Sequence, residues 1–334
     1  MSILVIAEAG VNHNGSFDMA CQLVDAACEI GADVIKFQTF IPENLVTNTA
    51  PMADYQKKRV TDASSQLEML KRIALSFDDF RRLSDYCQKK GIQFLSTPFD
   101  LESIDFLHEI GMTCWKLPSG EITNYPYLRK VAEYGGKMIL STGMCTLQDV
   151  EDAVRVFRDN GVDDLTLLHC TTEYPAKPES VNLRAMETLR QHFNCPVGYS
   201  DHTKGITASI AAAAMGATII EKHFTLDRNL PGPDHKASLE VSQFSDMIRR
   251  IRKVEKMLGS GVKEPAPDEY GNRRVARKSI IAARPICAGE QFTEENLTTK
   301  RPGTGITPMR WTEIIGRTAS RNYGKDEQID ASEL

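Results

Sequence analysis

Residues 195–236, CPVGYSDHTKGITASIAAAAMGATIIEKHFTLDRNLPGPDHK, restrict the fold more than any other stretch of the chain. A short apolar run ends in Gly198-Tyr199-Ser200-Asp201-His202, an alanine-rich segment of helical character follows, and a second apolar run, 217–220, enters Glu221-Lys222-His223. A strand, helix, strand connection of this length makes the two strands parallel, about 4.8 Å apart if they are neighbours. His202 and His223 then stand at the same end of adjacent strands. Two imidazoles so placed, with Asp201, Glu221 and Asp234 close in sequence, can hold a divalent metal and leave positions open for substrate and water. A lone histidine is more often a strand cap or a satisfied structural group. The pairing balances the two readings, and the rest of the chain has to separate them.

The same unit recurs along the chain. Apolar runs at 3–10, 33–40, 92–100, 113–121, 137–144 and 165–175 read as strands buried on both faces, and the opening stretch adds two more. Helical patterns fall between them, at 17–30, at 101–110 and after Ser76, where Asp78 and Asp79 occupy a first turn and Gly91 ends the helix; a last one spans 242–258. A polar insertion covers 41–65. Eight such units predict a closed (β/α)8 TIM barrel over residues 1–258. A doubly wound sheet is the weaker alternative, since neither a G-x-G-x-x-G after the first strand nor a G-x-x-x-x-G-K-[ST] is present. Residues 259–277, polar and punctuated by Pro and Gly, read as a linker. Residues 278–334 carry short β-like runs between turn signals and form a small second domain, marginal as an independent folder.

Composition narrows the function. The 334 residues carry a formal net charge of -5 without long basic runs, which argues against a nucleic-acid partner. No apolar run approaches the length of a membrane span and no basic region precedes the first one, so a soluble, cytoplasmic protein is expected. The eight cysteines contain no C-x-x-C pair and read as reduced packing residues; Cys170, beside His169, is the weak candidate for a nucleophile.

In a (β/α)8 barrel, polar residues at the carboxyl ends of strands converge on one mouth. Here those ends carry Glu8 with Asn12 and His13, Lys36 with Gln38, Lys116 with Ser119 and Glu121, Ser141, Thr171 with Tyr174, Ser200 with His202, and His223. Two lysines and three serines on adjoining strands make a site for a phosphate or carboxylate dianion. Solvated lysines are the plainer explanation, but they need no P-S-G and S-T-G companions at matching strand ends. Glu8, Glu121 and Asp234 remain for proton transfer or for the hydroxyls of a polar substrate.

The segments EAGVNHNG, KFQTF, STPFD, PSGEITNYPYL, LSTGM, LLHCTTEYP, GYSDHT, EKHFTLD, PGPDH and TTKRPGTGI, in this order over nearly the whole chain, resemble the bacterial sialic acid synthases, the nonulosonate synthase family. The C-terminal region is similar to that family's antifreeze-like SAF domain. The resemblance implies condensation of phosphoenolpyruvate with an N-acetylated hexosamine of mannosamine type and water, giving a nine-carbon α-keto acid and phosphate. It implies a divalent metal, Mn2+ foremost with Mg2+ or Co2+ as alternatives, on His202 and His223. By motif, Lys36, Lys116, Ser119, Ser141, Thr172 and Ser200 fall on the phosphoenolpyruvate side; Thr172 stands where one branch has Asn. Gln38, Glu121, Tyr174 and Asp234 fall near the sugar, and Glu8 near the metal and the reacting carbons. Arg301 matches an arginine that reaches the other subunit's barrel in a domain-swapped homodimer. The motifs suit N-acetylneuraminate and N,N'-diacetyllegionaminate synthases equally. Three other readings stand beside this one: a 3-deoxy-sugar-phosphate synthase, an aldolase using Lys116 or Lys222, and a carbohydrate-binding module.

Overall fold

A computed structural model describes residues 2–59 and 65–334. The chain divides into two compact units, Met1–Gly259 and Ser260–Leu334. In the first, eight parallel strands, β1 (Leu4–Gly10), β2 (Val34–Thr39), β3 (Gln93–Pro98), β4 (Cys114–Leu117), β5 (Lys137–Ser141), β6 (Leu165–Cys170), β7 (Val197–Asp201) and β8 (Ile219–Thr225), are ordered β3-β2-β1-β8-β7-β6-β5-β4. The two end strands, β3 and β4, pack side by side, so the sheet closes into a nearly complete barrel. A two-residue strand, β9 (Leu239–Glu240), runs parallel to the end of β8. Each barrel strand leads to a helix on the outside, from Phe17–Glu29 after β1 to Val241–Leu258 after β8.

Local sequence sets the element ends. Ser16, Ser76, Asp100 and Thr146 each accept a backbone N–H of the following first turn, and Thr146 forms a reciprocal capping box with Asp149. The helix expected after Ser76 spans Phe77–Lys90 and ends at Gly91 in the left-handed conformation. The strands bury nearly every side chain, because helices cover the outer face and the barrel's own filling covers the inner one. Register then decides what meets at the mouth: Glu8 lies opposite Lys36 on β2 and opposite His223 on β8, and Ser200 lies opposite Glu221.

The segment after β2 is more ordered than its polar composition suggests. It holds the short helices Pro42–Leu45 and Asp54–Arg59 and a further helix, Gln66–Ile73, that the sequence pattern had not shown; residues 60–64 of the expected insertion lie outside the described residues. Met69, Leu70 and Ile73 pack with Val11 and Phe40 into a small apolar cluster of their own. Two hydrophobic turns within an otherwise charged helix gave too short a period to detect.

The second unit pairs β10 (Ser279–Ala282) with β11 (Leu297–Lys300) antiparallel. Its core gathers Ile280, Ile286, Phe292, Leu297, Ile314, Tyr323 and Ile329. The buried Glu333 carboxylate accepts the Tyr323 hydroxyl at 2.6 Å and the Ser320 hydroxyl at 2.7 Å. An eight-residue helix with no buried residue, Glu269–Ala276, lies within the stretch that reads as a linker.

Candidate active site

A cavity of about 960 Å³ opens at the carboxyl ends of the barrel strands, and the barrel residues assigned by motif to the metal, to phosphoenolpyruvate and to the sugar line it. Its floor is a row of alternating charge. Lys36 Nζ lies 2.7 Å from Glu8 Oε2 and 3.8 Å from Glu221 Oε2; Lys116 Nζ lies 3.6 Å from Glu221 Oε1. Hydroxyls complete the row: Lys36 donates to Thr97 Oγ1 at 3.1 Å, Lys116 to Ser141 Oγ at 2.7 Å, and Ser200 donates to Glu221 at 2.9 Å. All four charged groups are buried.

Burial and pairing divide these groups. Burial alone would raise the Glu221 carboxyl, but Lys116, Lys36 and the Ser200 hydroxyl reverse that and hold it at about 2. Glu8, with one close lysine and Glu221 as a like-charged neighbour, is left above its ordinary value by burial. Burial opposes the Lys36 ammonium, yet Glu221 and Glu8 together raise its pKa. Burial prevails at Lys116, whose pKa is lowered despite Glu221. The two lysines face Glu221, which they share, and Glu8, whose charged form burial disfavours; an arriving dianion therefore brings charge that Glu221 alone does not balance.

Room for that anion comes from the backbone. A Cβ on Gly143 would stand 2.8 Å from Cys170 Sγ and 3.2 Å from Ser119 Oγ, and would also collide with Thr172 Oγ1. Ser119 and Thr172 face each other there, 3.4 Å between hydroxyl oxygens. The glycine of S-T-G thus keeps open the space between β4, β5 and β6. Cys170 borders it, but burial raises its thiol pKa, which suits packing rather than nucleophilic work.

Beside the floor, at the ends of β7 and β8, His202 and His223 stand with ring centroids 5.7 Å apart. His202 Nδ1 lies 2.7 Å from the Thr171 carbonyl oxygen, which can only accept, so Nδ1 carries the proton. Burial, with His223 nearby, lowers the His202 pKa to about 3, so the ring is neutral and Nε2 offers a lone pair. His223 Nδ1 is buried with no hydrogen-bond partner. A neutral, oriented imidazole beside one with an unsatisfied buried nitrogen fits a divalent metal. Among the described residues no group of three or more His, Cys, Asp and Glu forms a cage, so these two side chains suit an ion with positions left for substrate and water.

The Tyr174 ring packs 4.2 Å from His202 and 5.8 Å from His223. Gln38 donates to Glu8 at 3.2 Å, and Asn124 to Glu121 at 2.6 Å, Glu121 lying in the turn Ser119–Glu121 after β4. Asp234 is buried, and burial raises its carboxyl pKa with His223 partly opposing. Arg301 belongs to the second unit, where its Nε donates to the Ala276 carbonyl at 3.0 Å.

Five sequence candidates do not line the cavity; one is Thr171, whose hydroxyl donates to the Ser180 carbonyl at 3.2 Å. Asp201 accepts from Thr203 and from Ser209 Oγ at 2.6 Å, and pairs with Lys222 at 2.9 Å, all buried behind the mouth. That removes Asp201 from the carboxylates near the metal and Lys222 from the amines of an aldolase. Asn12 donates to the Phe224 carbonyl at 2.8 Å and to Ser238, while His13 accepts from Gly15 N–H, so both brace the loop after β1. In turn the structure moves Glu221, expected from sequence only as a carboxylate beside the histidines, to the lysine floor, and it brings in Thr97 and Arg59. Glu221 and Thr97 lie within EKHF and STPFD, where the step of two along a strand marks them as inward-facing; Arg59 has no comparable signal.

Comparison with known proteins agrees with this geometry. The NeuB family profile matches residues 23–263 and the SAF domain profile residues 277–334. The chain is 49% identical over 328 residues to an N,N'-diacetyllegionaminic acid synthase of Campylobacter jejuni, covering 98% of each chain. It is 48% identical over 326 residues to the enzyme of that name from Legionella pneumophila, covering 96% of this chain and 92% of the relative. A crystal structure of an N-acetylneuraminic acid (sialic acid) synthetase from Leptospira borgpetersenii in complex with citrate superimposes with a TM-score of 0.73 at 34% identity, covering 81% of this chain and 90% of that one.

Proposed function

The chain belongs to the NeuB family, and from that premise we propose that it is a nonulosonic acid synthase, which condenses phosphoenolpyruvate with an N-acetylated mannosamine-type sugar and water to give a nine-carbon α-keto acid and phosphate. The observation that carries this reading is the floor, with two buried lysines sharing Glu221 beside serine hydroxyls and two neutral imidazoles. N,N'-diacetyllegionaminic acid is the proposed product, supported by 49% and 48% identity to synthases so named, against 34% to the sialic acid synthetase.

Lys36 and Lys116 neutralise the phosphate and carboxylate of phosphoenolpyruvate, with Ser119, Ser141, Thr172 and Ser200 as hydroxyl partners. Gln38, Tyr174 and Asp234 orient the open-chain sugar so that its C1 faces C3 of the enol. His202 and His223 would hold a divalent ion, proposed to be Mn2+, which would supply Lewis acidity for the sugar aldehyde. The C3–C1 bond forms as electron density leaves the enol, and the positive charge at C2 is met by water oriented by Glu121 or Glu8. That water loses one proton to the carboxylate, which passes it to the new C1 alkoxide; as the bond from C2 to the phosphate oxygen breaks with its electron pair, the remaining C2 hydroxyl proton goes to the departing phosphate and C2 becomes the ketone. Residues 1–258 are proposed as the synthase barrel and 278–334 as the SAF domain, joined by 259–277. In a domain-swapped homodimer, Arg301 of the partner subunit would meet the sugar's acetamido group. No described helix is long and apolar enough to cross a membrane, consistent with action in the cytoplasm, where phosphoenolpyruvate is made.

A 3-deoxy-sugar-phosphate synthase would need a second phosphate site. Among the described residues Arg59 is the arginine lining the cavity, and its guanidinium bonds two backbone carbonyls. The test is phosphate release from phosphoenolpyruvate by metal-stripped protein with Mn2+ restored. Release that requires N-acetylmannosamine or 2,4-diacetamido-2,4,6-trideoxymannose is expected, faster with the latter. Release with phosphorylated aldoses alone would contradict the reading.

A further inference from the structure

We infer that Arg59 is a positioning residue for the sugar side of this site, a fork that ties the loop after β6 to the loop after β8. Arg59 ends the helix Asp54–Arg59 in the segment after β2. Its Nη1 donates to the Pro233 carbonyl at 2.6 Å and its Nη2 to the Tyr174 carbonyl at 2.9 Å. Those acceptors belong to different loops, and β7 stands between the strands they follow. Strands β6 and β8 are two spacings apart, about 10 Å, so one guanidinium reaches both only because the loops lean together past the end of β7, where His202 sits.

The joined points matter for the chemistry. Tyr174 packs its ring on His202, and Pro233 immediately precedes Asp234, which lines the cavity. The loop after β6 is also fastened where Thr171 O accepts from His202, where Thr172 meets Ser119, and where Ala176 N donates to the His202 carbonyl at 2.9 Å. Arg59 holds its middle. Both acceptors are main-chain oxygens, so the guanidinium sets where Tyr174 and Asp234 stand, and its charge also favours the ionised Asp234 carboxylate. The planar fork is required, because an ammonium is a single point donor that cannot span both carbonyls in fixed directions.

The consequence for the sugar rests on the synthase reading; the tie between the loops does not. Full-length Arg59→Ala and Arg59→Lys proteins, compared with the unsubstituted chain by hydrogen–deuterium exchange and steady-state kinetics, test the two separately. Amides of 171–176 and 230–236 are expected to exchange faster together in both variants, while the barrel strands and the melting temperature stay unchanged. KM for the acetylated sugar is expected to rise about ten- to hundredfold with KM for phosphoenolpyruvate within about twofold. Unchanged exchange in either loop would overturn the tie, and full rescue by Lys would overturn the fork. An equal rise in both KM values would reduce Arg59 to general support of the barrel. If the unsubstituted chain releases no phosphate with any acetylated sugar, the synthase reading fails while exchange still decides the tie.

Discussion

Two buried charge clusters share strands β7 and β8. Ser200, His202, Glu221 and His223 face the cavity, whereas Asp201 and Lys222, the residues between them, pair at 2.9 Å behind it and reach Thr203 and Ser209. Successive side chains on a strand point to opposite faces, so adjacent residues of like chemistry have separate tasks. Lys222 has its hydrogen-bonding capacity taken up by the Asp201 carboxylate and the Thr203 carbonyl at 2.8 Å. Lys36 and Lys116 share Glu221, with Glu8 also against Lys36, and open onto the cavity. The outer pair is closed and structural; the inner group is arranged to accept an anion.

Removing one partner from each cluster separates them most sharply. Lys222→Met leaves the Asp201 carboxylate buried and unpaired, so chemical denaturation should show a loss of about 3–5 kcal/mol in stability. Lys116→Met faces the cavity; it should fold and lose about 10²–10³ in kcat/KM for phosphoenolpyruvate, about 2.7–4 kcal/mol of transition-state stabilisation. A Lys222→Met protein as stable as the parent would break the distinction between the two clusters.

Gly143→Ala sharpens the picture from the other side, by filling space instead of removing charge. The added methyl group meets Cys170, Ser119 and Thr172, so overpacking of about 1–3 kcal/mol is expected to appear as weaker phosphoenolpyruvate binding. Unchanged KM would show that the anion sits elsewhere. The smallest effect is in pH. Lys116 binds an anion only when protonated, and burial sets its pKa below the ordinary 10.5. KM for phosphoenolpyruvate should therefore climb with rising pH sooner than an exposed lysine would allow, and a pH profile of Lys116→Arg, whose guanidinium stays charged, should lack that climb.

The barrel was legible in the sequence because eight buried parallel strands leave eight apolar runs, and because the closed order brings their polar ends to one mouth. Glu8, Lys36, Lys116 and the two histidines were legible for the same reason. What composition alone could not separate was Glu221 from Asp201, two carboxylates each preceding a residue of opposite or neutral charge at a strand end. Counting in twos from His202 and His223 places Glu221 inward and Asp201 outward. The helix Gln66–Ile73 and Arg59 were not legible, since short elements that pack on a rim carry no long period. Arg59 acts on backbone carbonyls, which no side-chain motif reports.

Within the inner cluster, phosphoenolpyruvate binding is expected to belong to the lysine floor and to need neither histidine. Calorimetric titration of phosphoenolpyruvate into chelator-stripped protein, Lys116→Met protein and His202→Ala/His223→Ala protein tests it most directly. Binding that survives in the stripped and histidine-free proteins and is lost with Lys116 is the expected result. Binding that disappears with the histidines and persists without Lys116 would contradict the assignment of the floor.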